Sequence, residues 1–196
     1  FRSGPPGGDV IRRRRLDSHV LALKALGVEV ETGARYVFRR KSPRCGEVLF
    51  DEASVTATEN AMMVAALTPG TTTLFNAACE PHVRDLAAML RAMGAEIEGE
   101  GTHRICIRGT DRLYGAEVHV GPDHIEMGSF LAAAAVTGGS LVVEAPPDPL
   151  TTAVCRRPFD LFGLIWRRTD EELVQSSVRK LRVRPALHGP IPKIED

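Results

Sequence analysis

Apolar residues along this chain recur in two kinds of segment. The first kind has a leucine-rich stripe at helical spacing, then a glycine, then apolar and polar residues in alternation. It occurs at 16–31 (LDSHVLALKALGVEVE) and again at 83–98 (VRDLAAMLRAMGAEIE). A period near 3.6 giving way to a period of 2 predicts a helix followed by a strand. Gly27 and Gly94 stand at the junctions, where a helix ends most readily by placing one residue in the left-handed conformation that side chains resist. The second kind is a helix of small residues followed by a β-branched run, at 57–76 (ATENAMMVAALTPGTTTLFN) and 124–144 (HIEMGSFLAAAAVTGGSLVVE). Glycine punctuates it too, at Gly70 and at Gly138 with Gly139.

Placed in order, these segments predict an α/β protein with internal repeats. A strand at 47–50 (EVLF), a second-type segment, a first-type segment and a strand at 104–108 (RICIR) together make one β-α-β-α-β-β unit. Pro81 after Glu80 and Pro149 after Asp148 mark helix starts, where the missing N–H is harmless. Pro158 predicts a kink or an end to the helix that Pro149 opens. Helices as rich in Ala and Gly as 128–138 offer no wide polar face, so they are expected to be packed on all sides, as interior helices of a layered domain. Trp166 is expected to be a packing residue.

Composition changes this picture only a little. Of the 196 residues 43% are hydrophobic and 26% charged, as in ordinary globular domains, and a chain of this length makes one large domain or parts of two. Lys+Arg and Asp+Glu both number 25, so no overall basic excess draws the chain to nucleic acid or to a membrane, and anion binding must be local. Cys45, Cys79, Cys106 and Cys155 form no C-x-x-C pair and have no His at zinc spacing, which predicts free, buried thiols in a reducing cytosol and no metal. No apolar run approaches the ~20 residues of a membrane span, and no signal peptide is evident. A soluble cytoplasmic protein is expected. The start at Phe1 suggests a piece of a longer product.

Four places can carry chemistry. In 5–17 (PPGGDVIRRRRLD), prolines and paired glycines make a loop with Asp9 at its tip, and the run Arg12 to Arg15 precedes a helix. Such arginines meet phosphates as planar donor forks, or form a solvated basic face; the neutral net charge and the absence of interleaved aromatics count against nucleic acid. In 51–60 (DEASVTATEN), a strand end runs into a helix start whose hydroxyls and N–H groups suit a diphosphate, or simply cap the helix through Ser54 or Thr58. The clusters Glu80-Pro81-His82 and Pro122-Asp123-His124-Ile125-Glu126 also sit at helix starts, as caps or as sites. His19 and His103 have no evident partner and are read as structural.

Six ordered blocks give a resemblance. PGGD at 6–9, RRLD at 14–17, SVTATENAMM at 54–63, NAACEPHVRDL at 76–86, MGAEIEGEGT at 93–102 and PDHIEMGSFLAAAAVTGG at 122–139 resemble the enolpyruvyl transferases, and within them the UDP-N-acetylglucosamine branch. The resemblance implies two similar lobes of repeated βαβαββ units, an inside-out α/β barrel with helices inside and sheets outside. It implies that residues 1–121 are part of a first lobe, that 122–196 are part of a second, and that the junction near Gly121 and Pro122 is a hinge. The blocks span the central portion of the family's length.

The implied reaction moves enolpyruvate from phosphoenolpyruvate to the 3'-hydroxyl of UDP-N-acetylglucosamine and releases phosphate, with no metal or organic cofactor. It is the first committed step of peptidoglycan synthesis. By position, Asp9 is the general acid where many members carry cysteine. Arg14, Arg15, Leu16, Asp17 and Ser18 form one nucleotide-sugar segment and Glu52, Ala53, Ser54 and Val55 another, with Arg14 also facing phosphoenolpyruvate. Glu80 and Asp123 fall at inter-lobe cleft positions. A free aspartic acid ionises near ~3.9, so Asp9 must be raised by burial to deliver a proton. Departures from the family pattern are Arg12 for glycine, Arg15 for proline, Glu52 for a lysine and His124 for arginine. The alternatives are the shikimate-pathway member of the same fold and a truncated relative that binds nucleotide sugar without turnover. The chain by itself is expected to be inactive.

Overall fold

The computed structural model describes residues 1–4, 16–175 and 181. The chain divides into two compact units, Phe1–His119 and Val120–Asp196.

The first unit contains a complete β-α-β-α-β-β run. Strand β4 (Glu47–Leu49) leads into helix α2 (Val55–Ala66), strand β5 (Gly70–Phe75), helix α3 (Pro81–Ala92) and strands β6 (Glu96–Glu98) and β7 (Arg104–Gly109). Its sheet runs β4-β5-β7-β6, with β4 and β5 parallel and the other pairs antiparallel. The parallel pair requires a crossover, and α2 supplies it. The same plan precedes it in shortened form: strand β1 (Arg2–Ser3), helix α1 (Asp17–Ala25), and strands β2 (Val28–Glu31) and β3 (Tyr36–Arg40), ordered β1-β3-β2. The second unit repeats the plan again, with helix α4 (His124–Val136), strand β8 (Leu141–Glu144), helix α5 (Pro149–Leu161) and strands β9 (Trp166–Arg168) and β10 (Glu172–Gln175), ordered β8-β10-β9. The repetition read from the sequence is thus present at the level of strand order.

The core of the first unit lies between its helices and sheet. Ala57, Ala61, Met62, Ala65 and Ala66 of α2 meet Val48, Leu74, Ile105 and Ile107 of the sheet. Small residues on α2 let the backbone approach closely, which explains its alanine content. Gly27 has φ 85°, and a Cβ there would lie 1.9 Å from the Ser42 carbonyl oxygen, so both conformation and space demand glycine. In the second unit Met127, Leu131, Cys155, Trp166 and Leu173 form the core, with Trp166 edge-on to Phe159 at 5.6 Å between ring centroids.

Two sequence expectations are corrected. Helix α4 is not packed on all sides: it buries His124, Met127, Leu131 and Ala135 but exposes Ile125, Phe130 and Val136, because within its unit one layer covers it. Helix α5 ends at Leu161, within the turn that contains Pro158. The cysteines are free, but only Cys155 is buried, while Cys45 and Cys79 are exposed and Cys106 intermediate. Burial, with Asp148 nearby, pushes the Cys155 thiol up. Among the described residues no helix is long and apolar enough to cross a membrane.

Candidate functional site

Strands β4 and β5 run parallel, so the loops that follow them leave the sheet at one edge, the place where open α/β sheets tend to hold ligands. The first loop carries Glu52, Ala53 and Ser54 into α2; the second carries Asn76 to Glu80 into α3. Asn76, with φ 55°, donates from Nδ2 to the Phe50 carbonyl at 3.0 Å and so ties one strand end to the other. The fully buried Thr58 joins the loops themselves. Its hydroxyl donates to the Ser54 carbonyl at 2.8 Å and accepts from the Ala78 N–H at 3.0 Å.

Ser54 is the N-cap of α2, and its hydroxyl accepts from the Ala57 N–H at a long 3.4 Å. The capping reading is therefore correct for Ser54, while Thr58 serves as the buried tie between loops. No acidic residue occupies the first turn of α2, and the nearest carboxylate on this side is that of Glu52, two residues ahead of the cap. Helix α1 arrives beside it. Ser18 donates to Glu52 Oε1 at 3.3 Å, which brings the segment of Leu16, Asp17 and Ser18 to the segment of Glu52, Ala53, Ser54 and Val55. Sequence reading named both segments; the structure joins them.

His19 is not a residue without partners. Its Nδ1 accepts from Asn60 Nδ2 at 2.8 Å and its Nε2 faces the Thr56 hydroxyl at 3.3 Å, so the ring bridges α1 to the first two turns of α2. Burial pushes this imidazole down, and the Glu52 carboxylate partly opposes that. His103 also has a partner, Nδ1 standing 3.2 Å from the Ala77 carbonyl oxygen. Sequence reading missed the His19 bridge, although Thr56 and Asn60 are four apart and therefore on one helix face.

Glu80 is the N-cap of α3 without a side-chain capping bond, and its buried Oε2 has no hydrogen-bond partner among the described residues. Glu59 on α2 is raised by burial, with His82 acting in the opposite sense. Asp123 caps α4 in the second unit, accepting from the Ile125 and Glu126 N–H groups at 2.9 and 3.0 Å. Asp9, Arg14 and Arg15 lie outside the described residues. Among the described residues no cluster of His, Cys, Asp and Glu could hold a metal ion. An open groove of about 560 Å³ on the other side of Asn60 is mostly apolar, lined by Phe1, Leu23, Phe38, Met63 and Leu67, with Arg40 and Asn60 as its polar members.

The model of the family described as EPSP synthase (3-phosphoshikimate 1-carboxyvinyltransferase) matches residues 2–186. A UDP-N-acetylglucosamine 1-carboxyvinyltransferase of Treponema denticola is 46% identical over 192 residues, covering 98% of this chain and 45% of that protein. One of the same name from Bradyrhizobium diazoefficiens is 46% identical over 193 residues, covering 98% and 44%. The chain thus spans about half the length of the curated relatives it matches. Among solved structures, the enolpyruvyl transferase NikO from Streptomyces tendae shares the fold, with a TM-score of 0.74 at 20% identity over 93% of this chain and 45% of that one.

Proposed function

The chain belongs to the family described as EPSP synthase (3-phosphoshikimate 1-carboxyvinyltransferase), and from that premise we propose that it is the nucleotide-sugar-binding portion of a UDP-N-acetylglucosamine enolpyruvyl transferase. The reaction is addition of the sugar 3'-hydroxyl to phosphoenolpyruvate followed by loss of phosphate. Leu16, Asp17 and Ser18 with Glu52, Ala53, Ser54 and Val55 hold the nucleotide sugar, its diphosphate lying toward the N-terminus of α2, where backbone N–H groups and the helix dipole favour negative charge. Arg14 and Arg15 add charge-assisted contacts to phosphate. Asp9 delivers the proton to the methylene carbon while the hydroxyl attacks its neighbour. Such arginines also stabilise the anionic transition state. The setting is peptidoglycan synthesis in the cytoplasm.

The observation that carries this reading is the bond from Ser18 to Glu52, which brings two sequence segments with the same expected ligand to one sheet edge. Relatives at 46% identity carry the name of the nucleotide-sugar enzyme, which favours UDP-N-acetylglucosamine over a shikimate-type acceptor. Calorimetric titration of the chain with UDP-N-acetylglucosamine and, separately, with shikimate 3-phosphate tests the choice. Saturable binding of the nucleotide sugar alone is expected. Binding of shikimate 3-phosphate alone would reverse the assignment.

A further inference from the structure

Ser18 and His19 are consecutive on the first turn of α1, and each reaches a different part of the chain around α2. Ser18 takes the loop at Glu52, and His19 takes the helix at Thr56 and Asn60. Between these anchors lie Ala53, Ser54 and Val55. We infer that His19 is a positioning residue for the nucleotide-sugar site, its neutral Nε2–H tautomer holding the start of α2 against α1 so that residues 52–55 keep the geometry the ligand needs. This rests on the proposed function of that site and extends it to a residue outside both binding segments.

The tautomer follows from the hydrogen bonds. The Asn60 amide nitrogen is a donor only, so the Nδ1 it meets must be bare, and the ring proton then sits on Nε2 and is given to the Thr56 hydroxyl. The ring is half-buried; its bond to Asn60 is partly shielded from water, while the Thr56 contact lies at the exposed rim. Thr56 belongs to the first turn of α2 and Asn60 to the second, so both contacts act on the end of the helix that faces the loop. A helix end moved by a fraction of an ångström misdirects its N–H groups, and positioning losses of this kind appear in affinity even when the residue never touches the ligand.

The test uses the whole 196-residue chain. Nitrogen NMR of the labelled imidazoles reads the tautomer, and calorimetry well below the melting temperature reads affinity for UDP-N-acetylglucosamine, so a stability loss is not mistaken for a binding loss. Wild type is expected to show an unprotonated Nδ1 at His19. His19→Ala is expected to weaken binding about tenfold, the loss of one to two hydrogen bonds. His19→Asn, whose amide oxygen sits near the position of Nδ1 and accepts from Asn60, is expected to recover most of that affinity. An Nδ1–H tautomer, undiminished binding by His19→Ala, or no recovery in His19→Asn would each overturn the inference while leaving the site reading intact. Failure of the wild-type chain to bind the nucleotide sugar would overturn both.

Discussion

His19 shows what a single residue adds to this site. Its ring is held neutral by burial against the pull of Glu52, so its folded pKa lies below the ordinary 6.5. The unfolded chain therefore binds the proton more readily than the folded one. The stability this group contributes is fully present above its unfolded pKa and is lost as pH falls through the folded value. Urea unfolding between pH 8 and 5 is expected to show this loss, and His19→Asn is expected to flatten the slope. At the arginine run the expectation concerns ligand rather than fold. Arg14→Ala should weaken nucleotide-sugar affinity tenfold or more, in line with the ~1.5 to 3 kcal/mol typical of charge-assisted contacts. Arg35→Ala, just ahead of β3 and outside the matched blocks, should change it little. Equal effects in a binding assay would mean that the run is only a solvated face.

Elements carry the repeat, and the glycines that end α1 and α3 show how far two copies can diverge. Gly27 and Gly94 both have positive φ, 85° and 113°. A Cβ at Gly27 collides with the Ser42 carbonyl, whereas one at Gly94 would meet only Tyr114 Cδ2 at 3.6 Å, an ordinary contact. Gly94→Ala should therefore cost the ~1 to 2 kcal/mol of a strained left-handed residue, and Gly27→Ala about 1 to 3 kcal/mol more from overpacking. Denaturant midpoints of the two variants give the comparison. Much of the elements was legible in the sequence because periodicity, proline and glycine act locally: α1, α3 and their following strands fall where the patterns put them. Contacts were not legible. That Ser18 reaches Glu52, or that Asn76 ties two strand ends, depends on which helix lies beside which loop. The exposed face of α4 was missed for a related reason, since composition shows that a face is apolar but not whether anything in the chain covers it.

At the scale of the whole molecule, the chain spans about 45% of its Treponema denticola relative, so turnover is best examined in a chimera in which these residues replace the matching 192-residue segment of that protein. Asp9 then makes a sharp expectation. Fosfomycin alkylates the loop thiolate of cysteine-bearing enolpyruvyl transferases, and a carboxylate is a much weaker nucleophile toward an epoxide. The chimera should gain no fosfomycin mass at Asp9, and Asp9→Cys should create sensitivity while keeping part of the activity. An adduct that inactivates through Cys45, Cys79, Cys106 or Cys155 would show the active loop to be misplaced. The most direct measurement is phosphate release from phosphoenolpyruvate by the chimera, with each acceptor in turn. Release that depends on UDP-N-acetylglucosamine and falls sharply in Asp9→Ala is the expected result. Release that requires shikimate 3-phosphate instead, or that survives Asp9→Ala unchanged, would contradict it.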